Sequence, residues 1–384
     1  MKLLRSLAPF CAVVCASPAS PQWSSSIAFF NNHTVFQSPP DYTIPGTLYA
    51  RTLQLPDSSL LATWENYSPE PPPVYFPIFR STDYGSTWTE ISRVEDTSGN
   101  NFGMRYQPFL YLLPRDWSSW KAGTIFVAGS SIPTDLSTTD IQLYASTDNG
   151  VTWQFTSSIA QGGRAIPNNG ETPVWEPFLM LYNGQLICYY SDQRDPANGQ
   201  KLVHQASSDG KTWAEVVDDV AYSNYTARPG MTTVAQIGSG DFIMTYEYGG
   251  GPVDGVFPVN YTFPVFYKIA SDPTQFGQVE GQSIVTTDVT RTVPVSSPYI
   301  IYDKTENMII VSCGTLSEVF INKAGGDVAS WESRSTGERV SYTRSLRIIH
   351  DEKWNKGLLI AGGGKLPPSE NNTVTVGVVD TTGW

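Results

Sequence analysis

The stretch Ser146-Thr147-Asp148-Asn149-Gly150-Val151-Thr152-Trp153 decides how the rest of the chain is read, because the chain repeats it. Ser81-Thr82-Asp83-Tyr84-Gly85-Ser86-Thr87-Trp88 follows the same pattern, and Ser207-Ser208-Asp209-Gly210-Lys211-Thr212-Trp213 shortens it by one residue. Ser271-Asp272-Pro273-Thr274-Gln275-Phe276 is a worn fourth copy. Asp83, Asp148, Asp209 and Asp272 are spaced by 65, 61 and 63 residues. A period of that size marks one supersecondary unit repeated around an axis or along a stack.

The motif has the chemistry of a hairpin tip. Its Asp can accept hydrogen bonds from N–H groups of its own turn, its Gly supplies a positive φ, and Thr-Trp opens the returning strand. The Trp is expected to pack into the body of the repeat. A calcium loop is the rival reading, but the motif lacks a regular series of oxygen ligands ending in Glu. The motif resembles the Asp-box of sialidase-type β-propellers, which joins the two outer strands of a blade away from the active face.

Composition agrees with an ordered, turn-rich β protein: of 384 residues, 12% are aromatic and only 16% charged, with 32 Gly and 28 Pro. Met1 to Ala16 carries Lys2 and Arg5, then the apolar run Leu7 to Val14, and reads as a secretory signal cleaved near Ala16. The expected product is secreted and extracellular, and no later apolar run is long enough to span a membrane. Sequons at Asn32, Asn66, Asn224, Asn260 and Asn371 fit that compartment. Removing Lys2 and Arg5 takes the net charge from −12 to −14, which argues against nucleic acid as a partner. Cys188 and Cys313, each in an apolar run of a different repeat, are expected to be free core thiols. With three His in the chain a zinc site is poorly supplied, and neither a metal nor an organic cofactor is expected.

Upstream of each box the same order recurs: a polar or Arg-containing start, an apolar strand, a turn, a second apolar strand, a variable loop, then the box hairpin. The inner strands open at Thr47, Tyr106, Trp175, Arg228, Ser297 and Tyr342, and the fifth unit has no recognisable box. Six units of about 60 residues predict an all-β, six-bladed β-propeller with four antiparallel strands per blade over residues 17–384. The segment Ser26 to Phe30 is expected to supply the missing outer strand of the last blade.

In a propeller the starts of the inner strands and the ends of the second strands meet at one channel mouth. That places Arg51, Arg105, Gln107, Trp175, Glu176, Arg228, Ser297 and Tyr342 there, joined by Glu65, Asp192, Tyr246, Glu247 and Tyr248. Such a rim offers stacking faces and hydrogen-bond partners to carbohydrate. Glu176 stands ahead of a wholly apolar strand, where a carboxylate is costly unless it has a use. Glu247 ends the apolar run Phe242 to Tyr246 in the next unit. Two carboxyl groups on adjacent blades are the minimum machinery for glycoside hydrolysis.

The boxes together with Val174-Trp175-Glu176-Pro177-Phe178-Leu179, Met244-Thr245-Tyr246-Glu247-Tyr248-Gly249 and Arg339-Val340-Ser341-Tyr342-Thr343-Arg344 resemble the fungal exo-1,5-α-L-arabinanases of glycoside hydrolase family ninety-three. The resemblance covers about Ser26 to Trp384. It implies a six-bladed propeller that releases arabinobiose from the non-reducing end of linear arabinan with retention. The family's catalytic glutamates map onto Glu176, taken as nucleophile, and Glu247, taken as acid/base, with a neighbouring Tyr at Tyr342. Arg51, Glu65, Arg105, Gln107, Trp175, Asp192, Arg228 and Tyr248 are the expected substrate contacts. Linear arabinan and arabino-oligosaccharides are the expected partners of a monomer. A sialidase would instead use Tyr342 as nucleophile and an Arg triad drawn from Arg51, Arg228 and Arg344, but its Arg-Ile-Pro signature is missing. A propeller lectin would carry equivalent sites in every blade, whereas here the third and fourth blades stand apart.

Overall fold

The computed structural model describes residues 26–351 and 353–384, so the expected signal at 1–16 lies outside the described part. The chain opens with β1 (Phe30–Gln37) and then lays down four strands per blade. Blade 1 is β2 (Thr47–Gln54), β3 (Leu60–Asn66), β4 (Phe76–Ser81) and β5 (Thr89–Val94). Blade 2 is β6 (Gly103–Leu112), β7 (Ile125–Ile132), β8 (Thr139–Ser146) and β9 (Gln154–Gly162). Blade 3 is β10 (Val174–Tyr182), β11 (Gln185–Asp192), β12 (Lys201–Ser207) and β13 (Val217–Val220). Blade 4 is β14 (Arg228–Gln236), β15 (Phe242–Gly249), β16 (Val265–Ala270) and β17 (Gln282–Ser283). Blade 5 is β18 (Tyr299–Asp303), β19 (Met308–Ser312), β20 (Val319–Asn322) and β21 (Glu332–Arg334). Blade 6 combines β22 (Ser345–His350), β23 (Lys356–Gly362) and β24 (Thr373–Val379) with β1. The described residues contain one short 3-10 turn, Phe276–Gln278, and otherwise strands and loops.

The six-bladed expectation holds, with one correction at its closure. The outer strand of blade 6 is Phe30–Gln37 rather than Ser26 to Phe30, paired from Phe30↔Val378 to Gln37↔Thr373. Its polar run Asn31-Asn32-His33-Thr34 hides it, because a strand on the outer edge needs little apolar patterning. Glu338 latches it: the buried carboxylate accepts the Asn32 N–H at 2.6 Å and the Thr375 hydroxyl at 2.9 Å.

The boxes sit on the outer hairpins. Asp148 accepts from Thr152 N–H (2.9 Å) and Thr152 Oγ1 (2.6 Å), and Ser146 Oγ accepts from Gly150 N–H (2.8 Å). Asp83 repeats these bonds with Thr87. The box carboxylates therefore close their own turns. The box tryptophans do more than fill their own blade: Trp153 donates to Ser92 Oγ on β5, and Trp213 donates to Ser157 Oγ on β9, both at 3.0 Å. Those two serines in turn donate to Gly150 and Gly210 carbonyls, so the second and third boxes are stapled to the preceding blade. The fifth unit keeps a disguised box. Asn322 Oδ1 accepts from Ala324 and Gly326 N–H at 2.9 Å, where the first three boxes use Ser, and Trp331 is fully buried behind it. Cys188 and Cys313 are free and buried.

Candidate active site

Four of the inner strands are broken at the same place, and the other two begin just beyond it. Tyr49, Gln107, Glu176 and Met231 take φ of +54°, +55°, +65° and +58° where the pairing register slips in β2, β6, β10 and β14. Ser297 (+48°) and Thr343 (+50°) hold the matching positions just ahead of β18 and β22. A left-handed residue that is not glycine costs roughly 1–3 kcal/mol, so six of them need compensation. Part of it is visible. In four blades the N–H at this bulge meets an acceptor from the preceding blade: Gln107 N–H bonds Glu65 Oε1 (3.0 Å), Glu176 N–H bonds Gln107 Oε1 (3.4 Å), Met231 N–H bonds Glu176 Oε2 (2.8 Å) and Ser297 N–H bonds Glu247 Oε2 (2.8 Å).

This relay gathers three carboxyl groups at one mouth. Glu176 extends from the bulge of β10, and Glu65 and Glu247 hold equivalent places on β3 and β15, opposite Leu48 and Gly230. Glu176 Oε2 also accepts from Ser191 Oγ at 2.6 Å, and Glu247 Oε2 from Ser296 Oγ at 3.1 Å. Gly230 is wedged between the pair. A Cβ there would stand 3.4 Å from Glu176 Oε2, 3.6 Å from Glu247 Oε1 and only 2.8 Å from Gln200 Nε2. The two carboxylate oxygens are thus no further apart than the first two distances added together. That upper bound includes the spacing of about 5–5.5 Å used by retaining glycosidases and excludes most of the inverting range of about 6.5–9.5 Å.

Burial pushes the Glu247 carboxyl up to about 7, and the neighbouring Glu176 adds to the rise while Ser297 and Ser296 oppose it. Glu65 is also raised to about 7 by burial, against the bonds from Tyr67 and Gln107. Glu176 is raised by burial too, but Ser191 and the Met231 N–H pull the other way on a single oxygen, followed by Arg228 and Arg51. The pair therefore holds one proton most readily on Glu247. Burial, then Glu247 and Glu176, lift the Tyr342 phenol well above its ordinary value. It stays protonated and donates to Met231 Sδ at 3.3 Å.

The remaining expected contacts divide. Gln107 belongs to the relay. Arg228 lies along the wall of the mouth, where its guanidinium bonds Asn169, Gln193 and Gln200. Trp175 sits behind it, donating to Gln200 Oε1 at 3.3 Å. Arg51 is turned into the barrel wall: it donates to Thr343 and lies 4.0 Å from the Tyr49 ring centroid. Arg105 forks onto Glu70 with two bonds of 2.8 Å. Asp192 points away, because the position opposite Trp175 is Ser191; its carboxylate holds Arg194 at 2.7 Å instead. Tyr248 falls on the same side of β15 as the buried Tyr246 and stacks on Tyr222 at 3.9 Å. Strand alternation sends Glu247 to the mouth and its neighbours into the blade. Sequence reasoning missed Ser191, Gln200, Gly230, Met231 and Ser296. Aligning the six strand starts residue by residue would have exposed Met231 as the equivalent of Glu176.

Two further observations bound the site. A cavity of about 470 Å³ on the axis is lined by the far ends of the inner strands, including Tyr111, Met180 and Arg347, and touches none of the three glutamates. It is the opposite end of the channel. Arg51, Arg228 and the fully buried Arg344, which donates to the Ser317 and Glu318 carbonyls, each face different partners, so no arginine triad converges on one ligand.

Two carboxyl groups at short range in the mouth of a six-bladed propeller, both raised by burial and Glu247 to about 7, fit a propeller glycosidase. No family model matches the chain, and no curated protein matches it. Solved structures do. The α-L-arabinofuranosidase of Fusarium graminearum in complex with arabinobiose shares 50% identity over 91% of this chain and 98% of its own, with a TM-score of 0.87. The Penicillium chrysogenum α-L-arabinanase complexed with arabinobiose shares 51% over 92% and 99%, also at 0.87. The NanB sialidase from Streptococcus pneumoniae, at 10% identity, 92% and 71% coverage and a TM-score of 0.56, shares the fold alone. The chain belongs to glycoside hydrolase family 93.

Proposed function

We propose that this protein is a secreted, exo-acting glycoside hydrolase that cleaves α-1,5-L-arabinofuranosidic bonds of linear arabinan from the non-reducing end and releases arabinobiose. The observation that supports the reading is the Gly230 gap, to which both Glu176 and Glu247 present a carboxylate oxygen, close enough to admit the retaining spacing. The Fusarium and Penicillium relatives, each captured with arabinobiose, support the substrate class.

In this reading Glu176 attacks the anomeric carbon as Glu247 passes its proton to the departing glycosidic oxygen. A covalent arabinosyl ester forms on Glu176 with inverted configuration. Glu247, now ionised, takes a proton from water, which attacks the same carbon and restores the original configuration. Met231 N–H and Ser191 hold Glu176 in line and keep it ionised. Tyr342 is the neutral hydroxyl beside the pair, and Glu65, Gln107 and Arg228 supply hydrogen bonds to the sugar units. The chain acts as a monomer.

The test is incubation with linear arabinan, branched arabinan and a sialyl conjugate, with products read by chromatography. Arabinobiose from linear arabinan without a ladder of longer oligomers is the expected outcome. A ladder would make the enzyme endo-acting, and release of sialic acid would return the site to the Tyr342 chemistry.

A further inference from the structure

Four large apolar side chains left in water fall within six residues of one another: Val256, Phe257, Val259 and Tyr261, with Val256 69% and Phe257 64% exposed. They belong to the connection between β15 and β16. That connection is an ordered hairpin: Tyr248 N–H bonds the Pro264 carbonyl and Gly250 N–H the Thr262 carbonyl, both at 2.9 Å, and Val253 and Val256 pair across the tip. Two ties hold it beside the Glu247 end of β15. Tyr261 donates to the Thr226 carbonyl at 2.8 Å, at the entry to β14, and Asp254 is ion-paired to Arg291 on the next loop. Against its stem, a Cβ on Gly250 would lie 2.8 Å from the Tyr261 ring.

The hairpin begins three residues after Glu247. A proton donor acts on the leaving oxygen, so the leaving part of the polymer must depart on the Glu247 side of the pair. On that side lies this hairpin, continuous with β15, whose Tyr261 is close enough to Glu247 to feel its charge. Exposed apolar groups of this density are unusual on a free surface unless something lies on them. Sugar rings present C–H faces that pack on apolar and aromatic side chains.

We infer that the Gly250–Phe263 hairpin is a binding platform for the leaving arm of the polysaccharide, with Phe257 and Tyr261 as its ring-facing contacts and Val256 and Val259 flanking them. The inference rests on the arabinan reading above and adds to it a site for the units beyond the scissile bond. The platform makes the enzyme discriminate by the length of the leaving group. A substrate with one leaving unit does not reach the tip, whereas a long chain does.

The test compares kcat/KM on long linear arabinan and on arabinotriose for the wild-type protein and for a Val256→Ser, Phe257→Ser, Val259→Ser variant, whose changes lie in water and leave the hairpin bonds intact. The expected result is a fall on the order of tenfold for the polymer, carried by KM, with arabinotriose unchanged. Equal losses on both substrates, or none on the polymer, would overturn the platform while wild-type activity keeps the arabinan reading standing. A change of oligomeric state in the variant with both rates unaltered would also overturn it, giving the patch to self-association. If the wild-type protein cleaves neither substrate, the arabinan reading falls and the platform with it.

Discussion

The main-chain N–H of Met231 points at Oε2 of Glu176 from 2.8 Å, across the boundary between blades 4 and 3. Met231 can aim it there only because its φ is +58°, and Glu176 can receive it only because its own φ is +65°. Two strained backbones in adjacent blades thus fix one carboxylate oxygen, to which Ser191 Oγ gives the second hydrogen bond. The strain is local, and the hydrogen bonds to a charged group, each worth about 1.5–3 kcal/mol, offset it.

Removing that carboxylate while keeping its shape gives the sharpest check. Glu176→Gln should lower kcat by on the order of 10⁴-fold or more, since the nucleophile itself is gone. The melting temperature should stay close to wild type, as the amide still accepts from Met231. A variant with full activity would sink the site.

Exchange of roles is tested by chemical rescue. On a substrate with an activated leaving group, azide should restore turnover to Glu247→Ala and yield the arabinosyl azide of retained configuration. In Glu176→Ala it should give the inverted azide. Finding the inverted azide from Glu247→Ala would swap the two assignments.

The pH profile follows from the directions of the shifts. Glu247, raised to about 7, carries its proton below that pH and loses it above, so kcat/KM should fall tenfold per unit as pH rises beyond 7. Glu176 must be ionised, and its pKa lies above the ordinary 4.5, so activity should also fall as pH drops through that range. The expected curve is a bell, and Glu247→Ala with the activated substrate should lose its alkaline limb. A rate flat through pH 8 in the wild type would contradict the acid role.

Gly230→Ala inserts a methyl where Gln200 Nε2 stands 2.8 Å away and the two carboxylates begin at 3.4 Å. Overpacking of this kind costs about 1–3 kcal/mol. The larger effect should be on kcat, because the methyl occupies the gap between Glu176 and Glu247. Kinetics and thermal melting on the same sample separate the two.

Glu338→Ala should do the reverse. It strips the acceptor from the half-buried Asn32 N–H and the buried Thr375 Oγ1 at the ring closure, and the unpaired Thr375 hydroxyl costs about 1–3 kcal/mol. The melting temperature should drop while kcat at moderate temperature is unchanged. A loss of kcat without loss of stability would mean that the closure reaches the active mouth.

The sequence by itself determined the architecture. The Ser-x-Asp-x-Gly-x-Thr-Trp boxes recur at a near-constant period, and local hydrogen bonding of Asp148 or Asp83 to its own turn needs nothing from the rest of the chain. That locality made the blade count and the strand order legible, and with them Glu176 and Glu247 as carboxylates misplaced against apolar strands. Tertiary structure alone decided which polar residues at the strand ends reach the mouth. Asp192 and Ser191 are adjacent in sequence, yet the bulge at Glu176 sets Ser191 opposite Trp175 and turns Asp192 to Arg194. Arg51 and Arg105 look like rim cations in one dimension and are ion-paired or wall-bound in three. A one-residue slip in a strand reverses every side chain after it, and no periodicity in the sequence records where such a slip falls. The left-handed φ at six equivalent positions comes from packing six blades around one axis, so only the assembled ring could place Gly230 between the two glutamates.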